Sequence, residues 1–142
     1  MTIKETYNFL TSVRRLEINI QKMIIRHDEL QTCLLPGAIR YDGDRVQTSP
    51  DDKMSKIAAE VVDLEAEIRA TKIQKAEQIR KIEAAISTLE DEDEQMVLLA
   101  FYGGRIPMAR VAELIHQSPR SAYYIRRRGV KHLAEKFSQI AN

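Results

Sequence analysis

The segment Ser118-Pro119-Arg120-Ser121-Ala122-Tyr123-Tyr124-Ile125-Arg126-Arg127-Arg128-Gly129-Val130-Lys131-His132-Leu133 decides how the chain is read. Ser118 carries a side-chain acceptor suited to a helix N-cap, and the fixed φ of Pro119 suits a first helical residue. At 100° per residue, Ala122, Ile125, Gly129 and Leu133 fall on one face. Arg120, Tyr124, Arg127 and Lys131 fall on the opposite face, with Ser121 and Arg128 on one flank and Tyr123 on the other. One stripe is built for burial. The other offers cations and phenols to a partner.

Immediately upstream, Pro107 to Ile115 reads as a short helix with Val111, Ala112, Leu114 and Ile115 on its apolar side, followed by a turn at His116-Gln117. Ala112 and Ala122 are small enough for the two helices to cross closely. This is a helix-turn-helix whose second helix is expected to enter the major groove of DNA with its N-terminal end first. Arginines there can take phosphates or guanine edges, with tyrosine hydroxyls between them. The expected DNA-contacting residues are Arg120, Ser121, Tyr123, Tyr124, Arg127, Arg128 and Lys131. The competing reading is a solvated run of arginines near a helix C-terminus, where positive charge suits the dipole. The short preceding helix, the turn, the Ser-Pro start and the opposed faces together favour DNA.

Charge supports the same end of the chain. The net charge of the 142 residues is only +1. Between Arg105 and Lys136, however, eight Lys/Arg stand against two acids, Glu113 and Glu135, and the rest of the chain is net acidic. Positive charge gathered in one segment marks a candidate polyanion-binding face.

Farther upstream, Asp91-Glu92-Asp93-Glu94 sets an N-cap aspartate three residues before a glutamate, a capping-box pattern in an acidic first turn. The helix that follows carries Met96, Val97, Leu98, Leu99, Phe101 and Tyr102, and Gly103-Gly104 is expected to supply a left-handed cap. Thr2 to Leu34 has no Gly or Pro and reads as one helix, stopped by Leu35-Pro36-Gly37. Residues 36–50 read as a loop. A second long helix is expected from an N-cap at Ser49, with Pro50 first and Asp51-Asp52 in its first turn. Its apolar residues are Met54, Ile57, Val61, Leu64 and Ile68, then Ile79, Ile82, Ile86 and Leu89. Two such helices bury their stripes most economically as an antiparallel, coiled-coil-like hairpin. The stripe from Ile73 to Leu89 exceeds what the first helix covers, which predicts a homodimer. The expected class is all-α, with a helical hairpin over 1–88 for dimerisation or partner binding and a helix-turn-helix domain over 89–142.

At 30 % charged residues, with 5 Gly, 4 Pro and no Trp, the composition suits long helices better than a sandwich. One cysteine, Cys33, precludes an internal disulfide and fits a reducing cytoplasm. No apolar run spans a membrane and no signal peptide opens the chain. His27, His116 and His132 are far apart in sequence and read as surface histidines. Asp42-Gly43-Asp44 lacks the further ligands of a calcium loop and reads as a turn. No catalytic constellation, metal site or cofactor is expected.

At Tyr102-Gly103-Gly104, Val111-Ala112, Ser118, Ala122, Ile125, Gly129, Val130 and Leu133 the chain resembles region 4 of the sigma-70 family, with every spacing kept. The loop Gly37-Ala38-Ile39-Arg40-Tyr41-Asp42-Gly43-Asp44-Arg45-Val46-Gln47-Thr48-Ser49-Pro50 ahead of a long helix is similar to that of phage-encoded regulators of the ArpU/RinA type. The chain departs from that pattern at Arg110, where Glu is usual, at His116, where Gly is usual, and at Gln117, where the turn residue is apolar. The resemblance implies sequence-specific promoter binding that controls phage or prophage transcription in the cytoplasm of a bacterial host, with bacterial RNA polymerase as a further partner. The alternative from another class is a coiled-coil adaptor or assembly protein whose basic end binds RNA or an acidic protein.

Overall fold

The computed structural model describes residues 1–35 and 50–141, and these form an all-α protein: α1 (Ile3–Cys33), α2 (Pro50–Ile86), α3 (Glu92–Leu98), α4 (Met108–Leu114) and α5 (Pro119–Ala141). No strand occurs among the described residues, and no helix among them is long and apolar enough to cross a membrane. Of the expected loop over 36–50, residues 36–49, including Ser49 as N-cap and Asp42-Gly43-Asp44, lie outside the described residues, and Pro50 begins α2 as expected.

Two compact units divide the chain, one made of Met1–Arg15 with Lys75–Asn142 and the other of Leu16–Gln74. The sequence divides it differently, at 88/89, and the reason for the difference is hydrophobic. Leu10 and Val13 of α1 and Ile82 and Ile86 of α2 are buried in one core with Leu89, Leu98, Tyr102, Val130 and Leu133. The last helical segments therefore draw part of their cover from the starts and ends of the long helices. Phe9 and Phe137 close this core edge-to-face, with ring centroids 5.5 Å apart. The same burial corrects an expectation. Ile82, Ile86 and Leu89 are buried, so of the stripe thought to need a second copy only Ile73 remains largely exposed. A homodimer no longer follows from that stripe.

Local sequence explains the helix boundaries. Thr2 and Glu5 form a reciprocal capping box at the start of α1: Thr2 N–H donates to Glu5 Oε2 (2.8 Å) and Glu5 N–H to Thr2 Oγ1 (3.1 Å). Asp91 caps α3 as expected, its Oδ1 accepting from Asp93 N–H (2.8 Å) and Glu94 N–H (3.2 Å). Glu94 does not complete that box, because its carboxylate is used elsewhere. The end of α3 also differs from expectation. It widens into a π-helical turn, Leu99–Gly103, and Gly104 keeps a right-handed φ of −85°. The left-handed residue is Arg105, with φ 55°. In the π turn the Gly104 N–H reaches back to Leu99 O (2.9 Å), one residue farther than in an α-helix, which moves the reversal past the glycines.

The unit Leu16–Gln74 is held by Ile20, Leu30 and Val61, all buried, and by polar pairs. Arg26 meets Glu60 at 3.1 Å, and His27 Nε2 meets Glu65 Oε1 at 2.9 Å. The Glu65 hydrogen bond, with help from Asp28, raises the His27 pKa above 6.5. The folded unit therefore binds the His27 proton more tightly than the unfolded chain. Its stabilising effect is complete below about pH 6.5 and is lost as pH rises through the raised folded value. An NMR titration should place His27 above its ordinary value, and Glu65→Gln should bring it back. An unchanged midpoint in that variant would remove Glu65 as the cause.

Candidate nucleic-acid interface

Within the unit Met1–Arg15 with Lys75–Asn142, α4 and α5 are joined by a turn that the sequence encodes residue by residue. Met108, Val111 and Ala112 of α4 are buried against Ala122 and Ile125 of α5, together with Val97 and Ala100. Ala112 and Ala122 are 2 % and 0 % exposed, which is the close crossing their size permits. His116 takes φ 57°, the conformation glycine would supply more cheaply. The turn closes through Gln117 N–H to Ala112 O at 3.0 Å. Ser118 Oγ then accepts from Ser121 N–H at 3.2 Å and Pro119 begins α5, as expected. The helix runs on to Ala141, beyond Leu133, because Ala134 and Phe137 also find cover.

Gly129 sets how closely α3 approaches. A Cβ at Gly129 would stand 3.1 Å from Leu98 Cδ1 and 3.4 Å from Glu94 Cβ, so only hydrogen fits without displacement. This fixes the rotation of α5 about its axis. Arg120, Tyr124, Arg127 and Lys131 are consequently exposed, with Tyr124 at 63 %. Among the described residues, Arg120, Arg127 and Lys131 make no hydrogen bond or ion pair. Ser121 is half-buried beside the Ser118 cap. Tyr123 is 45 % exposed on the flank.

The three consecutive arginines have three different surroundings, because successive residues point 100° apart. Arg127 faces outward. Arg126 lies over the Phe101 ring (4.6 Å from Cζ to centroid) and over the Tyr123 ring (5.0 Å). Arg128 turns to α3, where Nη2 meets Asp91 Oδ2 at 2.9 Å and Nε meets Glu94 Oε1 at 3.4 Å. Arg128, expected among the DNA-contacting residues, is thus engaged by two carboxylates of its own chain.

Glu94 is the residue the sequence reading missed. Its side chain is 1 % exposed, and besides Arg128 it pairs with His132 Nδ1. The only signal was angular: Arg128 and His132 lie one turn apart on the flank that meets α3. A buried carboxylate is costly unless paired, so these two partners decide whether α3 can seat on α5 at all. Replacing Arg128 by methionine keeps the stem and leaves Glu94 to His132 alone. It should lower stability by about 1–2 kcal/mol, a charged hydrogen bond discounted for partial exposure. Urea unfolding followed by circular dichroism measures this, and an unchanged midpoint would make the pair ornamental.

Elsewhere in this unit, burial pushes the Tyr102 phenol up to about 12, and nearby Arg126 opposes it. Among the described residues no group of three or more His, Cys, Asp or Glu side chains is gathered as a metal site. Compared with protein-family models, curated proteins and solved structures, the chain gives no match.

Proposed function

We propose that the chain is a DNA-binding transcription regulator whose α5 reads the major groove of double-stranded DNA. The observation carrying this reading is the outer face of α5, where Arg120, Arg127 and Lys131 stand exposed around Tyr124 with no partner among the described residues. Cations held without internal partners on a rigid helix suit phosphates and guanine edges. Arg128 and Arg126, spent on α3 and on aromatic rings, act in this reading by holding the helix. Ser121 and Tyr123 remain flank contacts. The resemblance to sigma-70 region 4 and to ArpU/RinA-type phage regulators belongs to this reading, as do a non-enzymatic role, a bacterial cytoplasm and RNA polymerase as a partner.

In the same reading α1 and α2 form an antiparallel hairpin. Ser12 accepts from Gln78 Nε2 at 2.8 Å, whereas Arg26 and His27 meet Glu60 and Glu65. The homodimer is carried only by the exposed Val62 and Ile73 of α2, and sedimentation showing a monomer at high concentration removes it.

The test is fluorescence anisotropy with a panel of genomic duplexes, including those flanking the gene, across a salt series. A sequence-specific regulator keeps its ranking of duplexes while salt weakens all of them. Weak binding that is uniform across duplexes and RNA would favour the adaptor reading instead.

A further inference from the structure

In the unit Leu16–Gln74, α2 carries a second stripe that the fold leaves in water. Ile57, Val61, Leu64 and Ile68 are buried or half-buried and mark the face that α2 turns inward. About 200° around the helix, Ala59, Val62, Ala66, Arg69 and Ile73 recur at alternating steps of three and four residues, and all five are exposed. Val62 and Ile73 are the large apolar members, 61 % and 62 % exposed. Positions that face solvent in a simple pair of helices therefore carry a heptad seam of their own, the pattern against which another helix packs.

The charges beside the stripe select its occupant. Glu65 and Lys72 lie on one shoulder, two turns apart and too far from each other to pair. Asp63 and Ala70 lie on the other shoulder. Consider a second copy of α2 running antiparallel, with the two-fold axis between Glu67 and Ile68. Val62 of each copy then meets Ile73 of the other, and the aliphatic stem of Arg69 covers the small Ala66. The same register sets Glu65 beside Lys72 of the second copy, and Asp63 beside Ala70 and within reach of Arg69. Opposite charges meet on both shoulders, each twice by symmetry. Glu65 already takes His27 through Oε1, and its side chain is still 44 % exposed. A parallel pair in register sets Arg69 against Arg69 and leaves Glu65 facing Ala70, so charge selects the antiparallel one.

We infer that the outer stripe of α2 seats a second copy of this chain, packed antiparallel through Val62, Ala66, Arg69 and Ile73 and held in register by Glu65 and Lys72. The inference rests on the homodimer of the reading above and gives it a contact, a direction and a register. It does not depend on DNA. A two-fold pairing of this kind is closed, because each stripe covers the other and neither is left to recruit a third chain.

Sedimentation equilibrium of the full chain, from low micromolar to sub-millimolar concentration, should show a monomer passing into a dimer. Ile73→Glu should weaken the dimer about ten-fold or more, and Lys72→Glu about ten-fold, since it sets carboxylates side by side. Adding Glu65→Lys to Lys72→Glu reverses both signs and should restore the wild-type constant, although the Glu65–His27 bond is then lost. Val62→Cys and Ile73→Cys, each with the exposed Cys33 replaced by serine, should cross-link to one another on mixing and neither to itself. A monomer at every concentration overturns the inference and the homodimer together. A dimer indifferent to Ile73→Glu and Lys72→Glu, or one in which each cysteine variant cross-links to itself, keeps the homodimer and overturns this pairing. So does a double swap of wild-type helicity that stays monomeric, and if the swap unfolds the unit the cross-linking decides.

Discussion

Alanine at both Arg120 and Arg127 should cost on the order of a hundred-fold or more in affinity for the preferred duplex, since one arginine on a base edge is worth about 1–3 kcal/mol. Both side chains are exposed and neither has a partner among the described residues. Removing them should therefore leave thermal stability within about 0.5 kcal/mol of wild type. If α5 reads bases as proposed, preference should collapse along with affinity, because the lost contacts would include those that distinguish bases. This outcome differs from that of Arg128→Met, where stability falls first and binding follows only as the folded fraction falls. Titrating both variants at a temperature well below their midpoints separates the two. Equal losses in the two variants would mean that position on α5 does not matter and that the helix contributes only bulk charge.

Leucine at Gly129 should have the largest effect on stability, a loss of about 3 kcal/mol from overpacking. Even a bare Cβ there stands 3.1 Å from Leu98 and 3.4 Å from Glu94 Cβ. Leu98 is fully buried, and Glu94 is pinned by Arg128 and His132, so neither can retreat freely. Alanine is a milder case, because its gain in helix propensity of about 1 kcal/mol opposes the crowding. Urea unfolding should show a lower midpoint for the leucine variant at an unchanged slope, with the alanine variant near wild type. A leucine variant as stable as wild type would show that α3 does not approach α5 at this position.

Much of this architecture is written in local sequence. Ser118-Pro119 starts α5, Ala112 and Ala122 allow the crossing, and His116 takes the left-handed turn, all from short-range chemistry that a reader of the chain can see. What escaped was long-range. Thr2-x-x-Glu5 and Asp91-x-x-Glu94 look alike in sequence, yet only the first is a reciprocal box. Glu94 is drawn to Arg128 and His132, which are distant in the chain and adjacent only once α3 lies on α5. Ile82 and Ile86 likewise looked unpartnered because their cover, Leu10 and Leu133, comes from opposite ends of the sequence. The π turn after Leu98 had no signal of its own, since the glycines that follow it suit an ordinary helix end equally well.

The core that joins Leu10 and Val13 to Val130 and Leu133 has a consequence for the birth of the protein. Loops that close over most of a chain are slow to form, and residues waiting for late partners stay exposed meanwhile. During synthesis the start of α1 emerges well before α5 and holds its leucine and valine in water until α5 arrives. The candidate DNA-binding unit is thus completed only after α5 has been made. A fragment beginning at α3 would lack Leu10, Val13, Ile82 and Ile86 and would display Leu98 and Leu133 to solvent, prone to aggregate.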